Sequence, residues 1–208
     1  APARSMVSTT ARTEKPSVAN PIKLPTRGDG RLNATRAAAS AGNNRACLAN
    51  SANPRSIDIA YERAWCAYNL ERPLEAMAYF DAASRSGLSG EAKRDARFGL
   101  ALSYLKFNMT EDAARLAAAT NYSAEQRREI ESIILDQRGV AAFQLKEYQK
   151  AINYFDALEE IDNGLARDLA LLRGYAYLNL KDYAAARVQI ESLHEALATP
   201  ETRKAMKI

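Results

Sequence analysis

Histidine is almost absent from this chain: His194 is the only one in 208 residues. Imidazole catalysis, or a metal site built from several histidines, has little to work with. Cysteine is nearly as scarce. Cys47 and Cys66 are the only two. They form no Cys-x-x-Cys and cluster with no histidine, so zinc is not expected. In an oxidising compartment they could join in a disulfide; otherwise they would be small buried thiols. No apolar run approaches the roughly 20 residues that span a bilayer. Nine Gly and seven Pro are too few for a loop-rich all-β protein. There is no phosphate-binding glycine loop and no Ser/His/Asp order. Asp162-Asn163-Gly164 lacks the alternating ligand spacing of a calcium loop and reads as a helix end. The expectation is a chain that is not an enzyme and takes no cofactor or metal.

What is present is alanine, tyrosine and charge, unevenly spread. Residues 1–36 hold Arg4, Arg12, Lys15, Lys23, Arg27, Arg31 and Arg36 against only Glu14 and Asp29, a balance of +5. The rest of the chain comes to −1. The high pI therefore belongs to the N-terminal part, and the body has no net charge for a nucleic-acid face. Residues 1–35 are rich in Ser, Thr, Pro and Arg without hydrophobic periodicity, so they are expected to be a disordered basic arm or linker. Residues 36–208 are expected to form one helical domain.

Within that domain the sequence repeats. Ala76, Ala113, Ala151 and Ala186 stand early in the second helix of four successive helix pairs, separated by 37, 38 and 35 residues. Thirteen and twelve residues before them stand Arg63-Ala64, Leu100-Ala101, Arg138-Gly139 and Arg173-Gly174. A small residue there lets two helices approach closely. Four residues after each anchor come Phe80, Ala117, Phe155 and Ile190. The third and fourth units agree best, RGVAAFQLKEYQKAINYFDAL (138–158) beside RGYAYLNLKDYAAARVQIESL (173–193). The second departs, with Ala117 where a bulky residue is usual. The segment 37–52 reads as a degenerate preceding pair, out of register. Thr199-Pro200-Glu201 reads as the start of one more helix, as in a piece of a longer repeat protein.

These motifs resemble the tetratricopeptide repeat, an antiparallel helix pair of about 34 residues. The resemblance covers residues 57–197. It implies an all-α fold, a right-handed solenoid of at least four helix pairs, and a partner-binding scaffold. It also implies that the first helix of each pair lines an inner groove. Projected onto this sequence, that wall carries Asp58, Tyr61, Trp65 and Tyr68, then Asp95, Phe98, Leu102 and Leu105. Further along come Asp136, Val140 and Phe143, and finally Asp168, Leu171, Tyr175 and Leu178. An aromatic floor with an acidic edge suits an extended ligand with apolar and basic groups. It also suits a sugar chain, whose rings stack on aromatic faces while hydroxyls donate to carboxylates.

A second constellation concerns charge. Arg63, Arg138 and Arg173 occur in the units that carry Asp81, Asp156 and Glu191 five residues after the anchor; the second unit lacks both groups. Pairing within each unit is expected: Arg63–Asp81, Arg138–Asp156 and Arg173–Glu191.

The motif Leu172-Arg173-Gly174-Tyr175, the turn Glu71-Arg72-Pro73 and FGLALSYLKF (98–107) resemble repeats of bacterial envelope scaffolds for exopolysaccharide synthesis and export, those of cellulose biosynthesis above all. The likeness implies a periplasmic location. Its alternatives are a cytoplasmic protein–protein adaptor or the regulatory domain of a larger enzyme. In each case the expected partner is a protein. The envelope reading adds polysaccharide, and self-association is open; nucleic acid and a membrane span are not expected. His194 reads as a solvated or interface residue.

Overall fold

A computed structural model describes residues 22–25 and 30–197, with side chains of the final helix described to residue 193. Among the described residues the chain is all helix: α1 (Arg31–Ser40), α2 (Asn44–Asn50), α3 (Ile57–Asn69), α4 (Pro73–Ser84), α5 (Gly90–Lys106), α6 (Thr110–Ala118), α7 (Ala124–Gln144), α8 (Tyr148–Asp162), α9 (Arg167–Asn179) and α10 (Tyr183–Leu197). They pack as consecutive pairs, α1/α2 through α9/α10.

Local chemistry starts these helices where the sequence suggests. Pro73 occupies the first turn of α4, where its missing N–H costs nothing. Ser89 caps α5 through the Ala92 N–H. Ser123 and Gln126 form a reciprocal capping box on α7, satisfying two otherwise orphaned donors. Each turn between paired helices closes in one way. The first helices α3, α5, α7 and α9 end on Glu71, Asn108, Lys146 and Lys181 in the left-handed region, at φ 55°, 54°, 62° and 62°. The residue after each donates its N–H back to Ala67, Tyr104, Ala142 or Tyr177, and the left-handed residue itself donates to Tyr68, Leu105, Phe143 or Leu178. This is the Schellman closure, which prefers glycine because a Cβ is strained at that φ. Lys146→Gly or Lys181→Gly should therefore raise the unfolding free energy by about 0.5–1 kcal/mol, the relieved strain outweighing the entropy glycine adds to the unfolded chain. Urea titration checks this, and a loss of stability in both variants would contradict it.

The four anchors are fully buried, each at 0% exposure. Phe80 and Phe155, one turn on, are also at 0%. A Cβ on Gly99 would lie 2.3 Å from the Phe80 ring, and one on Gly139 would lie 2.4 Å from Phe155. Glycine is thus required at both places for the ring to seat against the neighbouring helix.

The first pair differs from expectation. Helix α1 begins at Arg31, inside the segment expected to belong to the arm, and α2 is only seven residues long. The pattern hid α1 because its one fully buried side chain is a threonine, Thr35, whose hydroxyl returns to the Arg31 carbonyl. The pair is nevertheless in register. Gly42 closes the turn in the left-handed region, and Cys47, five residues later, takes the anchor place at 0% exposure. Cys47 is disulfide-bonded to Cys66 of α3, with 6.3 Å between the Cα atoms. Ahead of α1, Ile22 and Leu24 pack against the core of the α3/α4 pair, and the Ile57 N–H donates to the Pro25 carbonyl at 2.8 Å. Residues 1–21, the rest of the expected arm up to 26–29, and the helix start at 199–201 lie outside the described residues.

Neighbouring first helices touch: α1 meets α3, α3 meets α5, α5 meets α7 and α7 meets α9. No two successive second helices do, among the described residues. A stack whose members meet on one side and part on the other curves toward the side that meets. The first helices therefore form the inner layer, and the second helices stand apart along the outside.

Candidate functional site

The inner layer brings together most, but not all, of the side chains projected onto it. At its N-terminal end the aromatics form one cluster. Trp65 lies edge-on to Phe80 at 4.7 Å and to Tyr68 at 6.2 Å, and is tilted to Phe98 at 6.3 Å. Phe98 in turn meets Tyr122 at 6.1 Å. Tyr61, Trp65, Tyr68 and Phe98 are each half-buried. Tyr61, Trp65 and Tyr68 pack against the core shared by α3, α4 and α5, and Phe98 packs against that of α5, α6 and α7. Burial pushes the Tyr61 and Tyr68 hydroxyls above their ordinary pKa, Asp95 adding to the effect at Tyr61 and Lys106 opposing it at Tyr68. The Lys106 ammonium lies 5.8 Å above the Tyr68 ring.

Leu102 is a correction. It was projected onto the groove, but at 4% exposure it belongs to the core between α5, α6 and α7, as does Leu105 at 3%. α5 meets four helices, α3, α4, α6 and α7, so more of its circumference is buried than a two-sided reading allows. Asp58 is turned to its own helix start, where it accepts from the Ile59 N–H at 2.8 Å. Asp95 accepts from the Gln126 amide at 2.8 Å, tying α5 to α7.

Farther along, Asp136 and Asp168 come together across α7 and α9. Burial first, and then the Asp168 charge, raise the Asp136 carboxyl above the ordinary aspartate value. Phe143 is half-buried and edge-on to Tyr148 at 5.6 Å. Tyr175 and Leu171 are open, at 46% and 41% exposure. A raised folded pKa means that ionised Asp136 costs stability at neutral pH. That cost is absent below the unfolded aspartate range and grows as pH rises through the folded value. Asp136→Asn should therefore melt higher than the wild type at neutral pH, with the difference shrinking to nothing below about pH 4. Thermal melts at several pH values test this; an advantage that persists undiminished in acid would contradict it.

The three intra-unit ion pairs do not form. Arg63 bonds to Glu75 at the start of α4 and to the Leu48 carbonyl of α2, at 2.5 and 2.7 Å. Arg138 takes Glu111 of α6 at 2.9 Å. Arg173 takes Asp156 and Glu159 of α8, both at 2.7 Å. Asp81 and Glu191 pair with Arg85 and Arg187 on their own helices. Arg138 and Arg173 thus pair with the preceding second helix, clasping one unit to the next, while Arg63 pairs within its own unit and reaches the preceding one through the Leu48 carbonyl. Two of the acids that pair with these arginines, Glu75 and Glu111, stand in the first turn of a second helix rather than five residues past the anchor, so the repeat comparison did not single them out. Arg173 is 8% exposed, and its network with Asp156, Glu159 and Gln189 satisfies a charge that would be costly to bury alone.

Among the described residues, no group of His, Cys, Asp and Glu could hold a metal ion, and no helix is long and apolar enough to cross a membrane. The His194 side chain lies outside them. Residues 134–164 match the family model of the tetratricopeptide repeat. That span is the third unit, from mid-α7 to the residue pair that ends α8. No curated protein and no solved structure matches the chain. The repeat and the helix-pair stack together mark a protein-interaction scaffold.

Proposed function

We propose that this chain is a non-catalytic scaffold that holds a protein or polymer partner in the envelope apparatus by which a bacterium makes and exports an exopolysaccharide. The observation that carries the binding role is the inner layer. It presents half-buried rings of Tyr61, Trp65, Tyr68 and Phe98 at one end, and Asp136, Asp168 and Tyr175 at the other. Rings held by their own packing offer a ligand rigid faces at little entropic cost. The compartment is supported by the Cys47–Cys66 bond, a linkage rare in cytosolic proteins. The same bond weighs against the cytoplasmic adaptor.

The test uses Trp65 as the reporter. Cello-oligosaccharides are titrated into the oxidised chain while indole fluorescence is followed, with a lysine-containing apolar peptide as the parallel probe. The envelope-polymer reading expects a saturable sugar response that Tyr68→Ala weakens. A response to the peptide alone, weakened by Asp136→Asn, would make the groove a protein-binding surface. Silence to both would remove the groove as the binding site.

A further inference from the structure

On the outer face, the gaps between successive second helices form three related clefts. The first is lined by Asp81 and the last by Asp156, each the fifth residue past its anchor. In both, the chain supplies its own large apolar residue and acid in sequence: Phe80-Asp81 and Phe155-Asp156. The middle unit has neither at those two positions. There α6 offers Ala117-Ala118, and α6 is nine residues long where α8 has fifteen. What remains is a pocket of about 360 Å3, floored by Ile134 and Leu135, walled by Ala117, Ala118 and Ile161, and rimmed by Arg138 and by Arg127, whose charge is shared with Glu131 at 4.0 Å.

Arg138 shows the consequence. Its counterpart one unit on, Arg173, reaches Asp156 on the preceding helix and is nearly buried. Position 118 gives Arg138 no such acid, so it turns to Glu111, whose side chain is 66% exposed. A partner anion could replace Glu111 at modest cost, because an exposed ion pair contributes little.

We propose that this pocket is a binding site on the outer face for a partner peptide carrying a large apolar residue followed directly by a carboxylate. The apolar side chain enters over Ile134 between the two alanines, and the acid pairs with Arg138. The occupant's chemistry follows from the repeat itself: it is the pair that the flanking units carry and this one lacks. The site lies on the opposite face from the aromatic inner layer and stands whether or not that layer binds sugar.

The test is methyl NMR on the full chain. The probe is the acetylated, amidated peptide AINYFDALEE, a copy of residues 151–160, with two controls: its phenylalanine replaced by alanine, or its aspartate by asparagine. The expected result is saturable shifts of the Ala117, Ala118 and Ile134 methyls. Either control should bind about tenfold more weakly, as for loss of one anchor or one charge-assisted pair. The variant Ala117→Phe with Ala118→Asp fills the pocket from within; it should melt higher than the wild type and lose the response. Arg138→Gln, which keeps the pocket walls, should lose the preference for aspartate over asparagine. The proposal is overturned if the probe gives no saturable shift at these methyls. It is equally overturned if the asparagine control binds as tightly, or if filling the pocket leaves the shifts intact.

Discussion

Phe155→Ala should cost about 3–5 kcal/mol of unfolding free energy, the range for deleting a fully buried phenyl ring. The ring is at 0% exposure and lies where a Cβ on Gly139 would sit, 2.4 Å away. It packs with Ala142, Ala151, Leu158 and Leu169, residues drawn from three helices. Alanine would leave a hole at the junction of α7, α8 and α9 that helix backbones cannot collapse to fill. Phe80→Ala should cost a similar amount by the same geometry against Gly99. Ile190→Ala, at the equivalent place in the last unit, should cost about 1 kcal/mol or less, because that side chain is 38% exposed. Urea titration followed by circular dichroism gives all three. If Phe155→Ala cost no more than Ile190→Ala, the ring would not be the keystone of its unit.

The contrast between those positions shows what the sequence made legible. Alanine anchors and their small partners were readable because close helix approach admits few residue types, and those types recur at repeat spacing. The anchors are all fully buried. The left-handed turn positions were not readable, because Glu71, Lys146 and Lys181 stand where glycine would have advertised the turn. The arginine partners were not readable because Glu75 and Glu111 lie in the first turns of α4 and α6, away from the position five past the anchor. Tyr61, Trp65, Tyr68 and Phe98 were legible as a group, but Leu102 was assigned to the wrong side of α5. A helix with four neighbours buries most of its surface, and spacing along one stripe does not count neighbours. The first pair was hardest to see: α2 is too short to show a period, and its anchor is a cysteine.

That cysteine leads to the second large effect. Reducing the Cys47–Cys66 bond should cost about 3 kcal/mol, the chain-entropy figure for a cross-link closing a loop of this order; the separation is 19 residues. The double variant Cys47→Ala, Cys66→Ala should cost nearly the same. Alanine is what the other four units place at the Cys47 anchor, so packing there changes little and the measured loss isolates the cross-link. The loss should also be local. A stacked-repeat protein transmits stability mainly between neighbours, and among the described helices the α1/α2 pair leans on α3 alone. Hydrogen exchange should therefore quicken in residues 31–50 on reduction, while α7 and α8 keep their protection. Both sulfurs are buried, at 0% and 1% exposure, so the thiol reductant should act only as fast as this pair opens. A melting temperature unmoved by dithiothreitol, with alkylation confirming two free thiols, would mean that α1 and α2 hold to α3 by packing alone. Loss of protection spread evenly over all the described helices would mean that the stack unfolds as one unit. The expected outcome lies between these: a frayed N-terminal pair on an intact stack, with the α3 face that carries Arg63 and Cys66 opened to water.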